Sequence, residues 1–587
     1  MTKTFKFSNK EIVNLFKEVL AAMEVKKFSI FRIRAYQNVI ITIEGLTVSV
    51  FNLWENNKLD EIPGVGPTLK SHMDELFTTG RVVEFDAIKH DLPQGMFELL
   101  GLRGIGAKKA YKLAAAFKLH SREDTLEIIK NAALSHKIQN LDGFGEKSEE
   151  QILISLTEMK KTKQEKPRML LMQAEEIAGR ITSYLKNHPE IKDAVVMGSY
   201  RRRAPTIGDL DIAIKTTDSQ AALNYFLKYP EIEEVVVSGD KRVAVTLSND
   251  IQVDIRVCED DDFGSMMQYF TGSKNHNIIL RTYALEHGCS LSEYGIKKRG
   301  ELNKFTCEED FYNFIKLPYI PPEIRHGTKE IELAQKNKLP NLIQITDLKG
   351  DLHSHTIASD GLNSFQEMVS EAIKLNYDYF GVSDHAPSIQ TKGYDDVAKI
   401  IENTRRMIDT FNNSQSKIKV LFGYEVNILA DSKISLPDEL LKILDYAVAS
   451  IHSSFNQDKK TLTSRLVAAA RHPLINIIGH PSGRLINERE SADIDWREFF
   501  IAAADNNKII EINSQPNRLD LTEDLIPDAL SRNIRLVINS DAHSTGQLNY
   551  IKYGIDAARR SWCGKEDIIN TQNFDQIIRI LQSSSLR

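Results

Sequence analysis

A chain of 587 residues is too long for one hydrophobic core, and a rough prior of about 150 residues per domain suggests about three to five domains. Its four cysteines have no paired spacing, which excludes a disulfide-rich secreted scaffold and a cysteine-ligated zinc site. The formal net charge of −6 does not exclude an acidic partner, because binding to such a partner depends on local basic runs such as residues 201–203 and not on the net charge. Residues 1–16 lack the apolar block of a signal peptide, and no run approaches the roughly 20 apolar residues of a membrane span, so we expect a cytoplasmic protein without a membrane partner.

The first third of the chain repeats one short pattern. The segments IPGVGPTL, LRGIGAKK and LDGFGEKS each place two glycines around an apolar residue before a helix-prone run, at intervals of 40 and 39 residues. Such glycines allow a tight turn and present N–H groups at a helix N-terminus, which suits a phosphate oxygen and carries no base information. A single Gly-x-Gly turn commonly does no more than connect two helices. Three such turns at a regular interval predict helix-hairpin-helix binding of a DNA backbone. The predicted DNA-binding glycines are Gly64, Gly66, Gly104, Gly106, Gly143 and Gly145.

The segment FSIFRIRAYQNVIITI, residues 28–43, has the pattern of an amphipathic helix. Its Arg32, Arg34 and Tyr36 could face the end of a DNA strand. A surface helix with a core stripe explains the same pattern equally well, and the segment alone does not decide between the two.

Three carboxylates in the middle of the chain fall on strand-like runs. Asp209 and Asp211 stand two apart and therefore point to one face of their strand, which is costly unless cations bridge them. Asp254 has an alternating apolar setting on a later strand. Three such carboxylates can hold two Mg²⁺ ions, while the Gly198-Ser199 turn and an arginine meet triphosphate oxygens. The arrangement predicts nucleotidyl transfer.

The segments GSYRRRAPTIGDLDIAI, VDIRV and YFTGSKNHNIILR resemble the palm and thumb of family X DNA polymerases of the polymerase beta type. The resemblance implies that Asp209, Asp211 and Asp254 bind the catalytic Mg²⁺ or Mn²⁺ ions, and that DNA and deoxynucleoside triphosphates are the ligands. It implies a nucleotide-binding set of Gly198, Ser199, Arg202, Gly208, Tyr269, Phe270, Thr271, Gly272 and Asn277. It also implies that Arg281 touches the template and that the turn at residues 269–272 packs against deoxyribose and disfavours ribonucleotides.

Two positions depart from the polymerase beta pattern. Lys274 stands where an aspartate contacts the base, so the fidelity of that polymerase does not carry over. His72 stands six residues after Gly66, where a lysine forms a Schiff base with an abasic sugar, and Lys70 would lie on a different helix face. The second departure argues against a deoxyribose-phosphate lyase activity.

The C-terminal part follows a proline-rich connector and repeats candidate metal ligands at the ends of strand-like runs. These are His353, His355, Asp384, His385, Glu425, His452, His480, Glu511, Asn513, Asp541 and His543. Polar residues at the C-terminal ends of successive buried strands predict the active face of a (βα) barrel, which the roughly 240 available residues match. Any one of these histidines could be structural, but seven of the chain's 15 fall within this stretch.

The motifs DLHSHTIASDG, SDHA, GYEV, SIHSSF, IGHPSGRL and SDAH resemble the polymerase and histidinol phosphatase, or PHP, domain. The resemblance implies the nine metal ligands His353, His355, Asp360, His385, Glu425, His452, His480, Asp541 and His543. Six imidazoles and three carboxylates suit Mn²⁺, Zn²⁺ or Fe²⁺, and nine ligands imply up to three ions. In polymerases with this domain it is associated with 3′-5′ exonuclease action and, in several members, with cleavage at abasic sites.

The whole chain is therefore predicted to be a multidomain α/β protein. We expect helical helix-hairpin-helix N-terminal domains, a nucleotidyltransferase α+β palm, a small thumb and a distorted (βα) barrel PHP domain. The expected boundaries are 1–90 for the first helical domain, 91–165 for a fingers-like helical domain, 166–262 for the palm, 263–320 for the thumb, 321–345 for a linker and 346–587 for the PHP domain.

The leading functional hypothesis is a monomeric polymerase that fills short gaps in gapped or primer-template DNA, in base excision repair or end joining. Its PHP cluster would act as a 3′-5′ exonuclease, with abasic-site endonuclease or 3′-phosphodiesterase action as extensions. Two alternatives stay open, namely a template-independent nucleotidyltransferase and a polymerase whose PHP domain is a phosphatase, a pyrophosphatase or a scaffold. The hairpin repeats and the Asn277/Arg281 pair favour a template, since neither is needed without duplex DNA.

Overall fold

The computed structural model describes residues 5, 7, 9–45, 50–55, 57–62, 64–102, 105–162, 168–414 and 417–584. The chain divides into two compact units. The first unit comprises Met1–Met169, Glu175–His188 and Gln220–Ile255, and the second comprises Leu170–Ala174, Pro189–Ser219 and Arg256–Arg587. Segments expected to form one palm are thus distributed over both units.

The N-terminal part of the first unit is helical wherever it is described in regular structure. Its helices are α1 (Asn9–Val25), α2 (Ile30–Gly45), α3 (Val50–Glu55), α4 (Pro67–Thr79), α5 (Val83–Lys89), α6 (Gly95–Leu99), α7 (Ala107–Ala116), α8 (Thr125–Leu134) and α9 (Glu146–Thr162). They share one apolar core, in which the rings of Phe16 and Phe85 meet edge to face with centroids 5.6 Å apart. The predicted helical character of this part is confirmed.

The palm region alternates short strands and helices. In chain order these are β1 (Met169–Leu170), α10 (Leu171–Lys186), β2 (Ile191–Val196), α11 (Gly198–Arg201), β3 (Thr206–Ile207), β4 (Asp209–Thr216), α12 (Ser219–Phe226), β5 (Ile232–Ser238), β6 (Arg242–Leu247) and β7 (Gln252–Cys258). Within the second unit β2 pairs antiparallel with β4, and within the first unit β5 pairs antiparallel with β6.

The thumb region follows in the second unit. It contains α13 (Phe263–Thr271), α14 (Lys274–Glu286), β8 (Cys289–Ser292), β9 (Gly295–Lys298), β10 (Glu301–Asn303) and α15 (Glu308–Phe314), and the connector after it contains α16 (Glu330–Gln335). Strands β8, β9 and β10 form an antiparallel sheet. The proline-rich connector that follows the thumb is packed rather than exposed, since Arg325 and Glu330 are fully buried.

The C-terminal part of the second unit alternates parallel strands with helices. It contains β11 (Gly350–Asp351), α17 (Phe365–Lys374), β12 (Tyr379–Val382), α18 (Ile389–Lys392), α19 (Tyr394–Ser414), β13 (Lys419–Asn427), α20 (Asp438–Leu441), β14 (Tyr446–Ser450), α21 (Lys459–Arg471), β15 (Ile477–Ile478), α22 (Trp496–Asp505), β16 (Ile509–Asn513), α23 (Ile526–Ser531), β17 (Arg535–Asn539), α24 (Ile551–Arg560) and α25 (Phe574–Ser583). The strands β11 to β17 pair in chain order, each parallel to the next.

This sheet is a nearly closed barrel. A parallel bridge between Ser354 and Ala542 brings the segment after β11 to the segment after β17. Alternate residues of one strand serve two cores: Tyr446 and Val448 lie inside the barrel, whereas Ala447 and Ala449 pack against the outer helices. Burial on both faces explains why these strands are almost continuously apolar in sequence. The predicted (βα) barrel is confirmed.

Candidate metal centre and polymerase site

Six of the seven barrel strands deliver the candidate metal ligands to one end of the sheet. His353 and His355 follow β11, and each later strand except β16 contributes at or just beyond its carboxyl end. Those later residues are His385 after β12, Glu425 within β13, His452 after β14, His480 after β15, and Asp541 and His543 after β17. Asp360 reaches the same place from the loop after β11. Parallel strands end at one edge, which is why His355 and Asp541, 186 positions apart, meet.

Glu425 lies at the centre of this cluster and is buried. Its Oε1 lies 2.9 Å from His480 Nε2 and 3.1 Å from His452 Nε2. Its Oε2 lies 3.0 Å from His385 Nδ1. One carboxylate thus touches three imidazoles that come from three different strands.

Two further carboxylates complete the cluster. Asp541 Oδ1 lies 3.1 Å from His355 Nε2, and both residues are buried. The more exposed Asp360 places its Oδ2 3.3 Å from His385 Nε2 and 3.4 Å from His543 Nε2. Groups of ligand atoms within 4.8 Å of one another are formed by His355, Asp360, His385 and His543, by His353, His355 and Glu425, and by His385, Glu425 and His452.

The donor set fits divalent metal ions. His353 Nε2, His355 Nδ1 and His480 Nδ1 are buried and have no hydrogen-bond partner within the described part of the chain. Leaving a buried polar nitrogen unsatisfied is costly, and a bound cation would remove that cost. Imidazole and carboxylate together, with no thiolate, suit Mn²⁺, Zn²⁺ or Fe²⁺.

Burial and neighbouring charge act in opposite directions on these groups. Burial lowers the pKa of His385, but its bonds with Asp360 and Glu425 outweigh the burial and raise that pKa to about 10. The bonds from His385 and His543 hold the pKa of Asp360 well below its usual range. Burial opposes the ionisation of Glu425, yet the charges of His452 and His353 hold its pKa well below the usual range. The carboxylates are therefore kept ionised, which is the form that binds a cation.

Glu511 orients one of the histidines. Its Oε1 lies 2.7 Å from His353 Nδ1 and also accepts a 2.9 Å hydrogen bond from Asn539 Nδ2. Its Oε2 accepts the His480 backbone N–H at 2.8 Å. A carboxylate behind a ligand histidine fixes the ring and its tautomer. The strand-end position of Glu511 marked it in the sequence, but only the structure gives it this supporting role.

Other buried carboxylates support loops around the cluster. Asp384 accepts hydrogen bonds from Thr356 N at 2.7 Å and from Ser359 Oγ at 2.6 Å, so it fixes the loop after β11. Asp520 accepts the Ser482 and Gly483 amides at 3.1 and 2.8 Å. Sequence reasoning missed Asp520, because no motif or strand end marks it.

Sequence reasoning also missed the cation Arg518, whose Nε lies 3.9 Å from Asp541 Oδ2. Its place in the segment QPNRLD, directly after β16, is the sequence signal that would have found it.

In the palm, Asp209 begins β4 and is exposed, whereas Asp211 is half-buried two residues later. Gly198 begins α11 with φ +60°, and a Cβ there would lie 2.7 Å from Asp211 Oδ2. A side chain at this position would collide with the carboxylate, so glycine is required. Met197 N donates to the Asp211 carbonyl at 2.7 Å, which ties the turn after β2 to β4.

Asp254 lies on the part of β7 that belongs to the first unit. It is buried, and the guanidinium of Arg242 on β6 donates to both of its carboxylate oxygens, with Nε 3.1 Å from each. The neighbouring cation therefore stabilises the charge of this carboxylate.

The predicted nucleotide-binding residues of the thumb cluster at the junction of α13 and α14. Tyr269, Phe270 and Thr271 end α13, and Gly272 follows with φ +67°. Asn277 Nδ2 donates to the Tyr269 carbonyl at 2.7 Å, and the Arg281 guanidinium lies 5.0 Å from the Tyr269 ring centroid. These contacts place Asn277 and Arg281 on one face of α14.

The arginines before β3 are tied to the same junction. Arg202 donates from its guanidinium to the Thr271 carbonyl, and Arg201 Nη1 donates to Thr271 Oγ1 at 2.7 Å. Ser199 lies within α11, and its carbonyl accepts the Ala204 N–H at 3.0 Å. Gly208 directly precedes β4, and Lys274 begins α14 with an exposed side chain.

The glycine repeats of the first unit stand immediately before helices. Gly66, Gly106 and Gly145 directly precede α4, α7 and α9, and each accepts at its carbonyl the N–H four residues on, at 2.9 to 3.0 Å. Gly64 and Gly143 adopt φ values of +85° and +83°, where other residues are strained. Gly104 lies outside the described residues. The described repeats therefore share one backbone geometry.

The helix predicted at residues 28–43 is α2, and its core-stripe interpretation holds for Tyr36. Tyr36 is 2% exposed and bonds through its hydroxyl with His72 Nδ1 at 3.0 Å, while His72 Nε2 lies 2.8 Å from Glu84 Oε2. Arg32 pairs with the same Glu84. The hypothesis that Tyr36 faces a DNA strand end is wrong, because the ring is needed in the core.

Comparison with known protein families matches four stretches of the chain. The family matches are a helix-hairpin-helix domain at residues 7–82, a SAM-like helix-hairpin-helix tandem at 97–158, a DNA polymerase beta thumb at 266–326 and a PHP domain at 351–515. None of the described helices combines the length and the apolarity that a membrane span requires.

Two relatives and one solved structure illustrate the range of similarity. The "DNA polymerase/3'-5' exonuclease PolX" of Bacillus subtilis is 33% identical over 578 residues, which are 98% of this chain and 99% of that protein. The "Probable phosphatase TTE1963" of Caldanaerobacter subterraneus is 25% identical over 40% of this chain and 92% of its own length. The solved ternary primer-template complex of Leishmania infantum polymerase beta shares 20% identity over 40% of this chain and 98% of that one, with a TM-score of 0.25.

Proposed function

This chain belongs to the family X DNA polymerases that carry a C-terminal PHP domain, and we propose that it fills short gaps in DNA during base excision repair or end joining. It is a DNA polymerase with a PHP phosphoesterase domain. The observation that carries the nuclease half of the proposal is the convergence of nine candidate ligands at one end of the barrel. A domain retained only as a scaffold would not need to keep that donor set.

For the polymerase half, we assign Mg²⁺ or Mn²⁺ binding to Asp209, Asp211 and Asp254. Bound divalent ions would lower the pKa of the primer hydroxyl and neutralise the triphosphate. The amide of Gly198, the hydroxyl of Ser199 and the Arg202 guanidinium would bind triphosphate oxygens as hydrogen-bond donors, with Gly208 leaving room beside them. Deoxynucleoside triphosphates are the proposed substrates.

The DNA would be held at two kinds of surface. The helix N-termini after Gly66, Gly106 and Gly145 offer backbone N–H groups to phosphates without reading sequence. Asn277 and Arg281, on one face of α14, would lie along the nascent pair and the template, next to the turn at residues 269–272. These assignments support action on a primer-template duplex, and we propose that the chain acts there as a monomer.

For the PHP half, the proposed ligands of up to three Mn²⁺, Zn²⁺ or Fe²⁺ ions are the nine residues His353, His355, Asp360, His385, Glu425, His452, His480, Asp541 and His543. Bound metals would supply a hydroxide near neutral pH. Glu511 would keep the His353 ring fixed, and Asp384 would keep the loop after β11 in place. The same chemistry applies to a 3′-terminal nucleotide and to the phosphodiester of an abasic site.

The relatives described as probable phosphatases favour one alternative for the PHP domain. They match this part of the chain over most of their own length, and a phosphomonoester would use the same donor set. In that case the domain would release phosphate from a terminal monoester or from pyrophosphate, and not mononucleotides from a strand.

One gel assay separates these possibilities. The full chain is incubated with Mn²⁺ and a 5′-labelled primer in a one-nucleotide gap, with and without deoxynucleotides. We expect Asp209→Ala/Asp211→Ala to abolish extension only, and His353→Ala/His355→Ala to abolish shortening only. Asp240→Ala and His472→Ala, which change the same residue types outside both sites, are the matched controls and should keep both activities.

If primer shortening survives the histidine substitutions, the nuclease activity lies outside the PHP cluster. The phosphatase alternative for the PHP domain would then be favoured. A parallel incubation with a primer that carries a 3′-phosphate, in which released inorganic phosphate is measured, tests the phosphatase alternative directly. Extension that ignores the template base would favour the template-independent transferase.

A further inference from the structure

Three consecutive arginines, Arg201, Arg202 and Arg203, form a short segment that we call the arginine loop. Arg201 and Arg202 donate to Thr271, at the end of α13. Arg203 turns the other way and donates to Asp556 Oδ2 of α24, from Nε at 2.8 Å and from Nη2 at 2.7 Å. The arginine loop is therefore tied to the thumb on one side and to a helix of the PHP barrel on the other.

A second residue of α24 holds the backbone of the same loop. Arg560 Nη1 donates to the Arg202 carbonyl at 2.7 Å. The rest of the Arg560 guanidinium is fixed by Glu523, to which Nη2 donates at 3.0 Å. His326 Nε2 lies 2.8 Å from the Arg560 carbonyl, which also ties the end of α24 to the segment after the thumb.

These contacts are stronger than ordinary surface ion pairs. The side chains of Arg203, Asp556 and Arg560 are only 21%, 15% and 10% exposed. Charge-assisted hydrogen bonds in such a setting are less screened by water and by salt. Arg203 also adopts φ +56°, a left-handed conformation that is unfavourable for a residue with a side chain, so the contacts with α24 add to the local hydrogen bonds that hold the loop.

We propose that Asp556 and Arg560 of the PHP domain are positioning residues of the polymerase site, which set its affinity for the incoming triphosphate by holding the arginine loop. The proposal rests on the proposed binding of triphosphate by Ser199 and Arg202. The Arg202 carbonyl is fixed by α24 and its guanidinium by Thr271, so the direction of this side chain depends on both contacts. Asp556 neutralises Arg203, which prevents that second guanidinium from competing for the same phosphate oxygens.

The test measures steady-state gap filling by the full chain with Arg560→Ala and with Asp556→Asn. We expect KM for the deoxynucleotide to rise about tenfold in each, with kcat changed less than about threefold, because an interaction that orients a binding group acts mainly on binding. Removal of nucleotides from a single-stranded primer by the same preparations should stay within about twofold of the unsubstituted chain.

Arg559→Ala is the matched control. Arg559 is the neighbouring residue of α24, but it donates to Glu323 and to the Ile343 carbonyl and not to the arginine loop. The charge-reversed pair Arg203→Asp/Asp556→Arg should recover most of the affinity that Asp556→Asn loses. If Arg560→Ala does not fold, Arg560→Lys is used instead. Lysine keeps the positive charge but lacks the planar guanidinium that donates to the Arg202 carbonyl and to Glu523 at once, so KM should also rise.

Arg202→Ala is measured in parallel, so that a failure of the positioning role of α24 can be told apart from a failure of triphosphate binding by Arg202. If Arg202→Ala raises KM and the α24 variants do not, the positioning role is wrong and the nucleotide site stands. If no variant moves KM, the arginine loop does not bind the triphosphate and both assignments fall. Equal losses of extension and shortening, with a lowered melting temperature, would show a purely structural contact and would overturn the positioning role.

Discussion

The two candidate catalytic centres of this chain differ in how many of their candidate ligands are buried and bonded to neighbouring side chains. At the barrel, Glu425 and His353 are buried and already bonded to neighbouring side chains, with Glu511 and Asn539 behind them. On β4, Asp209 is exposed at the start of its strand. A site at the ends of closed barrel strands is assembled by the fold itself, because each strand end is fixed by its neighbours. A site on a strand face leaves more of its assembly to metal, nucleotide and DNA.

The largest effect expected from this difference is in metal affinity. Without DNA or nucleotide, we expect Mn²⁺ to bind at the PHP cluster at least about 100-fold more tightly than at the palm, since more ligands are already in place there. Calorimetric titration of metal-stripped full chain measures both classes of site. His353→Ala/His355→Ala should remove the tight class and Asp209→Ala/Asp211→Ala should leave it. Equal affinities at the two sites would contradict the comparison.

A smaller effect is expected when the preformed site loses one support. Glu511→Gln keeps the shape of the side chain but replaces a carboxylate oxygen that faces His353 Nδ1. We expect a loss of about 10- to 100-fold in metal affinity and in exonuclease rate, as for other groups behind metal ligands, with extension unchanged. Glu402→Gln, an exposed change on α19, is the control. Unchanged affinity in Glu511→Gln would mean that the cluster does not need this support.

The smallest effect tests whether preformed networks also stabilise the thumb. Glu330 accepts hydrogen bonds from Gly327 N and Thr328 N at 2.6 and 2.8 Å and bonds with His276 Nδ1 at 2.8 Å. Burial would raise its pKa, but the bonds from His276 and the Thr328 amide outweigh burial and lower that pKa to about 2. We expect Glu330→Gln to lower the local opening free energy of α14 by about 1.5 kcal/mol at pH 7.

The sign of the pH dependence follows from the lowered pKa. The stabilisation by ionised Glu330 is fully present above the unfolded pKa near 4.5 and is lost as the pH falls through about 2, so the variant and the parent should converge only below about pH 2. Hydrogen exchange of the α14 amides, compared with the exposed change Glu332→Gln on α16, measures the difference. A difference that persists unchanged at low pH would assign it to packing and not to the charge.

Most of the features that could be predicted from the sequence depend on a few adjacent residues. The Gly-x-Gly repeats specify their own backbone, because helix starts and positive φ values are properties of a few adjacent residues. The strand-end histidines of the barrel were visible for a related reason: a parallel strand buried on both faces leaves polar residues only where it ends. The (βα) barrel and most of its strand-end donors therefore came from the residues themselves, whereas the resemblance added Asp360 and selected the nine-ligand set.

Only the tertiary structure decided which groups stand behind these sites. Glu511 meets His353 across 158 residues, and Arg560 meets the Arg202 carbonyl across 358, and no local pattern encodes such a pair. Tyr36 shows the converse, since a ring that an amphipathic pattern leaves free to face either way is committed to the core by His72 and Phe16. Periodicity states which face of an element is apolar, but the partner of each polar atom is fixed by how distant elements pack.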